Sequence, residues 1–210
     1  LNQLNVSANL PDYFWTGNTK MSCVKHAVEQ SLDYAYAHHI QRLMVTGNFA
    51  MLAGINPDQL DQWYLGIYID AIEWVEMPNT RGMSQFADGG LMATKPYISG
   101  SNYLMKMSNY KKGEWQAVWD GLFWRFMNTH RDFFLSNPRL GMLVRMFDKM
   151  PIEKQQKHLE HGDVRLRLMK TLEQFDEEII PDNYKVKESH KFPSKAKDKT
   201  HILVTIELEQ

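Results

Sequence analysis

Two adjacent histidines, His38 and His39, stand just before Arg42 in an otherwise apolar run. Neighbouring residues on a helix point about 100° apart, so the two rings cannot chelate one metal in the i, i+4 manner. Their chemistry is that of a group titrating near neutrality, a general acid beside a pocket, or else of one half-buried and one exposed histidine. An arginine in such a run needs a carboxylate or phosphate partner. Asp70 and Glu73 are the candidates downstream. Trp63, Tyr64, Tyr68 and Trp74 add an aromatic cluster. Such a stripe packs a core, stacks a ligand or relays electrons, and periodicity alone does not separate these.

These residues need helices to position them. Val24, Ala27, Val28, Ser31, Leu32, Ala35, Tyr36, His39 and Ile40 recur at three- and four-residue steps. That predicts one long helix from Ser22, as N-cap, to about Ala53, with Gly54 as C-cap. Asn56-Pro57 opens a second helix, carrying Leu60, Trp63, Tyr64, Ile67 and Tyr68, to about Val75, with Pro78 ending it. Residues 77–102 read as a long glycine-rich loop with neither GxGxxG nor GxxxxGK[ST], in which Met83, Phe86, Tyr97 and Tyr103 could line an apolar cleft. A short helix restarts at Tyr103–Met107, and Pro138 and Pro151 punctuate helices at about 139–149 and 152–178. Strand patterning is nearly absent before residues 201–208, and the Lys-rich stretch 185–201 reads as a solvated linker.

The 210 residues are 43% hydrophobic and 23% charged, enough for a core and too apolar for general disorder. Net charge is −1, which excludes a global basic field. The single cysteine, Cys23, excludes a disulfide framework and any four-cysteine cluster made by this chain alone. No run of about 18 apolar residues is present, so no membrane span is expected, and a reduced, cytoplasmic setting is the default. Residue 1 is Leu, which reads as a cut inside a longer protein.

The strings YAYAHHIQRLMVTGNFAMLAGINP and WYLGIYIDAIEWVEMPNTRGMSQFADGGLMATKPYISGSNYLMKMSNY resemble the C-terminal flavin-binding region of the iron–sulfur bacterial cryptochromes and photolyases, a branch that includes prokaryotic (6-4) photolyases. The resemblance runs from about Leu10 to Tyr110 and more loosely to about Leu172. It implies an all-α domain that holds FAD over about residues 1–180, followed by an irregular, Lys-rich tail at 181–210. An antenna domain and the first flavin-domain helices would lie upstream, with an antenna pigment that the sequence does not identify. UV-damaged DNA would be the partner.

By resemblance, His38 and His39 face the lesion side of the flavin, with His39 the proton donor in (6-4) repair and His38 also touching the cofactor. Arg42 and Asp70 match an ion pair beside the isoalloxazine, and Glu76 a polar group near flavin N5. Asn79, Gly82 and Met83 match pocket positions, with Met83 in place of a relay tryptophan. Trp63 and Tyr64 match an alternative electron relay, and Tyr97 a position near the lesion. The four-cysteine set of the branch is reduced to Cys23: the CxxC expected after MSNY reads Lys111-Lys112-Gly113-Glu114. No iron–sulfur cluster is therefore expected, and Trp115, Trp119 and Phe123 are candidates to fill its space. The function implied is light-driven DNA repair by electron transfer from reduced FAD. The alternatives are a cryptochrome-type photoreceptor that binds FAD without repair, and a truncated remnant.

Overall fold

The computed structural model describes residues 1–136, 140–171, 184–193 and 200–208. They fall into two units, Leu1–Arg165 and Leu166–Gln210. The first is helical throughout, as the sequence predicts. Its elements are α1 (Tyr13–Thr16), α2 (Ser22–Tyr34), α3 (His39–Gln41), a π-helical turn π1 (Arg42–Gly47), α4 (Asn48–Leu52), α5 (Pro57–Ile67), α6 (Glu73–Glu76), a second π-helical turn π2 (Met77–Ser84), α7 (Ser101–Met107), α8 (Glu114–Thr129), α9 (Arg131–Leu135), α10 (Gly141–Asp148) and the greater part of α11 (Ile152–Thr171).

The long helix expected over Ser22–Ala53 is interrupted. Ala35 takes a left-handed conformation (φ 51°) and ends α2. Its carbonyl accepts from Ile69 N at 2.9 Å instead of from the next helical turn. The chain restarts at α3, where His38 is the N-cap and its Nδ1 accepts from Ile40 N at 3.2 Å. The histidine pair therefore sits at a helix start, not mid-helix. Ser22 is the first helical residue and Met21 holds the cap position. Gly54 ends the α4 region in left-handed conformation (φ 70°), as expected.

The second predicted helix also divides. Asn56 caps α5 through its side chain, which accepts from Asp58 N at 2.9 Å, with Pro57 in the first turn. The chain becomes extended at Tyr68, and Tyr68 through Ile72 cross to α6. Trp74 consequently leaves the aromatic face and is exposed. Pro78 does not end a helix but lies in the first turn of π2, where the missing proline N–H is tolerated because the turn is widened. The side-chain amide of Asn79 donates to Val75 O at 2.8 Å, meeting a carbonyl there. Part of the expected 77–102 loop is thus helical.

π1 and π2 lie against each other. A Cβ on Gly47 would fall 2.0 Å from Ser84 Oγ, so only glycine allows this approach. Around them the core gathers Phe14, Phe49, Leu60, Trp63, Trp119, Leu122, Met127 and Phe134. Both buried indoles find acceptors: Trp63 Nε1 donates to Phe14 O (3.0 Å) and Trp119 Nε1 to Ser99 O (2.9 Å). Phe86, expected beside a cleft, is a core residue whose ring meets Phe133 at 5.8 Å.

In the second unit, β1 (Tyr184–Pro193) and β2 (Thr200–Leu208) form an antiparallel pair, with a register shift between Val186 and Glu188. The strand expected at 201–208 therefore has its partner within the chain, in a stretch read as linker. Lysines mark solvated linkers and hairpin edges alike, so composition did not distinguish them. Pro138, the helix expected beyond Thr171 and the boundary at 180/181 lie outside the described residues.

Helices α8 and α11 meet glycine to glycine. A Cβ on Gly162 would lie 2.7 Å from Gly121 O and 2.9 Å from Arg125 Cβ. Gly162→Ala should cost about 1–3 kcal/mol through overpacking, a fall of roughly 3–10 °C in Tm. Thermal denaturation followed by circular dichroism measures it, and an unchanged Tm would show that the helices separate freely.

Candidate functional site

The two helix breaks converge on Arg42. Its Nε donates to Ala37 O at 2.8 Å, a carbonyl that the break at Ala35 leaves outside the helical ladder. One terminal nitrogen spans both oxygens of Asp70, at 2.7 and 3.0 Å. The guanidinium lies 3.8 Å from the centre of the Tyr68 ring, a cation–π stack. The other terminal nitrogen is 3.9 Å from Glu76 Oε1. Of the two carboxylates expected to partner Arg42, Asp70 does so and Glu73, which is exposed, has no ion pair among the described residues.

Beside this cluster lies a cavity of about 190 Å³. Its polar wall includes His39, Arg42, Asp70, Glu76, Asn79 and Thr80, and its apolar wall includes Ala37, Leu43, Tyr64 and Val75. Glu76 is buried and its Oε2 accepts from Thr80 Oγ1 at 2.5 Å. Small-molecule sites usually span roughly 300–1,000 Å³. The lining suits one planar heterocycle, with cationic, anionic and amide groups along its edge, and the volume falls short of a dinucleotide.

Tyr64 reaches this cavity from the core. Its hydroxyl donates to Arg42 O at 2.8 Å and lies 2.9 Å from Thr46 Oγ1. Trp63 sits behind it, fully buried, with ring centres 5.6 Å apart. Tyr68 touches both rings, at 5.8 Å and 5.2 Å, and its hydroxyl meets Ser31 Oγ at 3.0 Å. Burial pushes the Tyr68 hydroxyl up to about 12 and that of Tyr64 well above its ordinary value. Both are phenols at neutral pH.

The lining thus brings together His39, Arg42, Asp70, Glu76, Asn79 and Tyr64. It does not include His38, Trp63, Gly82, Met83 or Tyr97. His38 is occupied as a helix cap. Gly82 backs onto Met92, whose Cβ would stand 2.8 Å from an added Cβ. Met83 and Tyr97 are half-buried. Thr80 and Tyr36, both in the lining, were not expected. The four-residue step from Glu76 to Thr80 is the signal that could have found Thr80, because it stacks the two side chains on one helical face.

π2 is fastened to α5 by Arg81, which is ion-paired with both Asp58 and the buried Asp61. Burial pushes the Asp61 carboxyl up to about 6 against the pull of Arg81. Cys23 is buried, and that burial pushes its thiol up to about 12. Among the described residues no group of three His, Cys, Asp or Glu could hold a metal. The aromatics expected to fill space near Cys23 go three ways. Trp115 packs on Tyr110, which stacks on His26 (5.7 Å); Trp119 packs on Phe49; Phe123 packs on Trp124. Of the three, Trp115 is the one linked to the Cys23 side: Tyr110, which it meets, is raised by burial and secondarily by Cys23.

The chain is 47% identical over 143 residues to the (6-4) photolyase of Agrobacterium fabrum (strain C58). The chain is related to the photolyases. The match takes in 63% of this chain and 28% of that protein's length. A second relative of the chain, the uncharacterised protein R855 of Acanthamoeba polyphaga mimivirus, is 44% identical over 92 residues, which are 43% of this chain and 75% of that protein. No family model matches the chain. No described helix of the chain is long and apolar enough to cross a membrane.

Two outcomes check the geometry. Arg42→Met should destabilise by about 1–3 kcal/mol in chemical denaturation, because charged hydrogen bonds to Ala37 O and Asp70 are lost. Arg42→Lys should restore only part, since an ammonium lacks the planar fork that stacks and bridges together. Cys23, as a buried thiol, should resist iodoacetamide at pH 8 in the folded chain and react fully once unfolded; rapid labelling of the native protein would show an open, ionised thiol.

Proposed function

We propose that this chain forms the flavin-ring side of a light-driven, photolyase-type repair enzyme for UV-damaged DNA. What carries the reading is one conjunction: a relationship to photolyases, and a ring-sized cavity lined by His39, Arg42, Asp70, Glu76 and Asn79. Arg42 and Asp70 would hold the polar edge of the isoalloxazine of FAD, with Glu76 and Asn79 beside it and His38, Gly82 and Met83 further along. FAD held there in its reduced form would supply, under light, the electron needed to split a pyrimidine dimer or (6-4) photoproduct.

The chain's own residues then have distinct tasks. His39, exposed at the cavity, would deliver a proton to the lesion as general acid. Tyr97 would stand on the lesion side. Trp63 and Tyr64, with ring centres 5.6 Å apart, would form a relay by which electrons reach the cavity from the core. The buried, protonated Cys23 is no ligand set for a cluster, so no step is assigned to iron and sulfur. The lesion would leave the base stack to reach this site. An antenna domain, and the cytoplasm as the place of action, complete the proposal.

One observation favours the photoreceptor reading as the second choice. The chain segments that rim the cavity, residues 33–41 and 69–77, contain no Lys or Arg to meet phosphates.

The test is to titrate FAD into the chain and then illuminate it with lesion-bearing DNA. Flavin absorption retained after desalting, with light-dependent loss of (6-4) lesions, is expected. His39→Ala should keep the flavin bands and lose repair. Undiminished repair by His39→Ala removes its role as proton donor. Retained flavin without repair selects the photoreceptor, and no retained flavin removes the reading.

A further inference from the structure

Two groups of opposite charge on the cavity wall stop short of each other. Glu76 Oε1 lies 3.9 Å from Arg42 Nη1, about 1 Å beyond a charge-assisted hydrogen bond. Glu76 is buried and the Arg42 side chain nearly so, and a low-dielectric setting strengthens the attraction between them. Arg42 has the capacity for a second partner. Its Nε and Nη2 are taken by Ala37 O and Asp70, while Nη1 makes no hydrogen bond among the described residues. A rotation of the Glu76 carboxylate would close the gap.

The second oxygen of Glu76 holds it back. Oε2 accepts from Thr80 Oγ1 at 2.5 Å. Thr80 is itself fixed: it is buried, its carbonyl accepts from Gln85 N at 2.7 Å, and the next residue, Arg81, ties π2 to α5. A β-branched side chain has few rotamers, so the hydroxyl cannot follow a turning carboxylate. Turning Glu76 onto Arg42 would leave Oε2 without this partner in the interior, and a buried acceptor stripped of its donor carries the full cost of desolvation.

We infer that Thr80 is a positioning residue: its hydroxyl holds Glu76 off Arg42, so that Nη1 and Oε1 stay open to a ligand as an adjoining donor and acceptor. That pair reads a planar ligand edge on which an acceptor adjoins an N–H donor. A bare ring nitrogen in place of the N–H sets its lone pair against Oε1, and a site built around an N–H rejects the analogue lacking it. The choice of ring rests on the flavin reading above. On that reading the ring is the reduced flavin, whose central ring carries an N–H that the oxidised form lacks. The role of Thr80 toward Glu76 rests on the two distances alone.

Two measurements separate these parts. In ligand-free crystals of Thr80→Val, Glu76 Oε1 should close on Arg42 Nη1 to hydrogen-bond distance, whereas Thr80→Ser, which keeps the hydroxyl, should leave the gap. Glu76 unmoved in Thr80→Val, or closed on Arg42 in Thr80→Ser, overturns the role of Thr80 whatever the chain binds. Riboflavin is the ligand probe, oxidised or reduced with dithionite in the absence of air, and equilibrium dialysis against the 210-residue chain gives both affinities. The wild-type chain should hold the reduced form about tenfold more tightly. Thr80→Val and Glu76→Gln should bring the two affinities within about twofold, and Thr80→Ser should restore the difference, with circular dichroism unchanged throughout. Equal affinities in the wild type, or a preference that survives Thr80→Val, overturns the ligand assignment. Retention of neither form by the wild type removes the flavin reading and the ring assignment with it, and the crystals then decide Thr80 by themselves.

Discussion

A single guanidinium organises the local structure around the cavity. An arginine carries five donors in a rigid plane and cannot shed its charge, so the surroundings must supply acceptors. Arg42 obtains one from Ala37 O, outside the α2 ladder because α2 stops at Ala35. It obtains two from Asp70, on the crossing between α5 and α6. Its face rests on Tyr68, the residue at which α5 turns extended. Two departures from regular helix thus serve one side chain, and the cavity forms beside the place where they meet.

Much of this was legible in the chain and some was not. Helical periodicity placed Leu60, Trp63 and Tyr64 on a buried face, because a core-facing stripe follows from 3.6 residues per turn whatever the neighbours are. That Arg42 requires a carboxylate was also legible, since an arginine in an apolar run demands one; the residues left Asp70 and Glu73 both open, and the resemblance pointed to Asp70. The break at Ala35 was not. Alanine is the best helix former, and its left-handed conformation here comes with a bond to Ile69, a residue remote in sequence. Trp74 was misplaced for the same reason, as it lies beyond a crossing that carries no glycine or proline. Pro78 misled in the opposite direction, because a widened turn tolerates what an α-turn rejects.

In the aromatic cluster, packing and the proposed relay make the same demand. Trp63 is a core residue by every measure, fully buried with its N–H bonded to Phe14 O. Tyr64 is equally buried, yet one edge reaches the cavity. Rings held this rigidly by packing are also rings at fixed separation, so the packing role and a relay role ask for the same geometry.

The two π-helical turns carry a consequence for how the chain can vary in length. A π turn closes i→i+5 bonds, takes in one residue more than an α turn, and is the rarer arrangement. Deleting one residue from Arg42–Gly47 or from Met77–Ser84 would let an ordinary helix form there. It would also rotate one side of the cavity by about 100° relative to the other. Arg42 and Thr46 would lose their alignment with Tyr64, or Asn79 and Thr80 theirs with Glu76. Local helix stability and the shape of the site therefore favour different chain lengths at these two points, and surviving lineages should tolerate substitutions there far more readily than single-residue gaps.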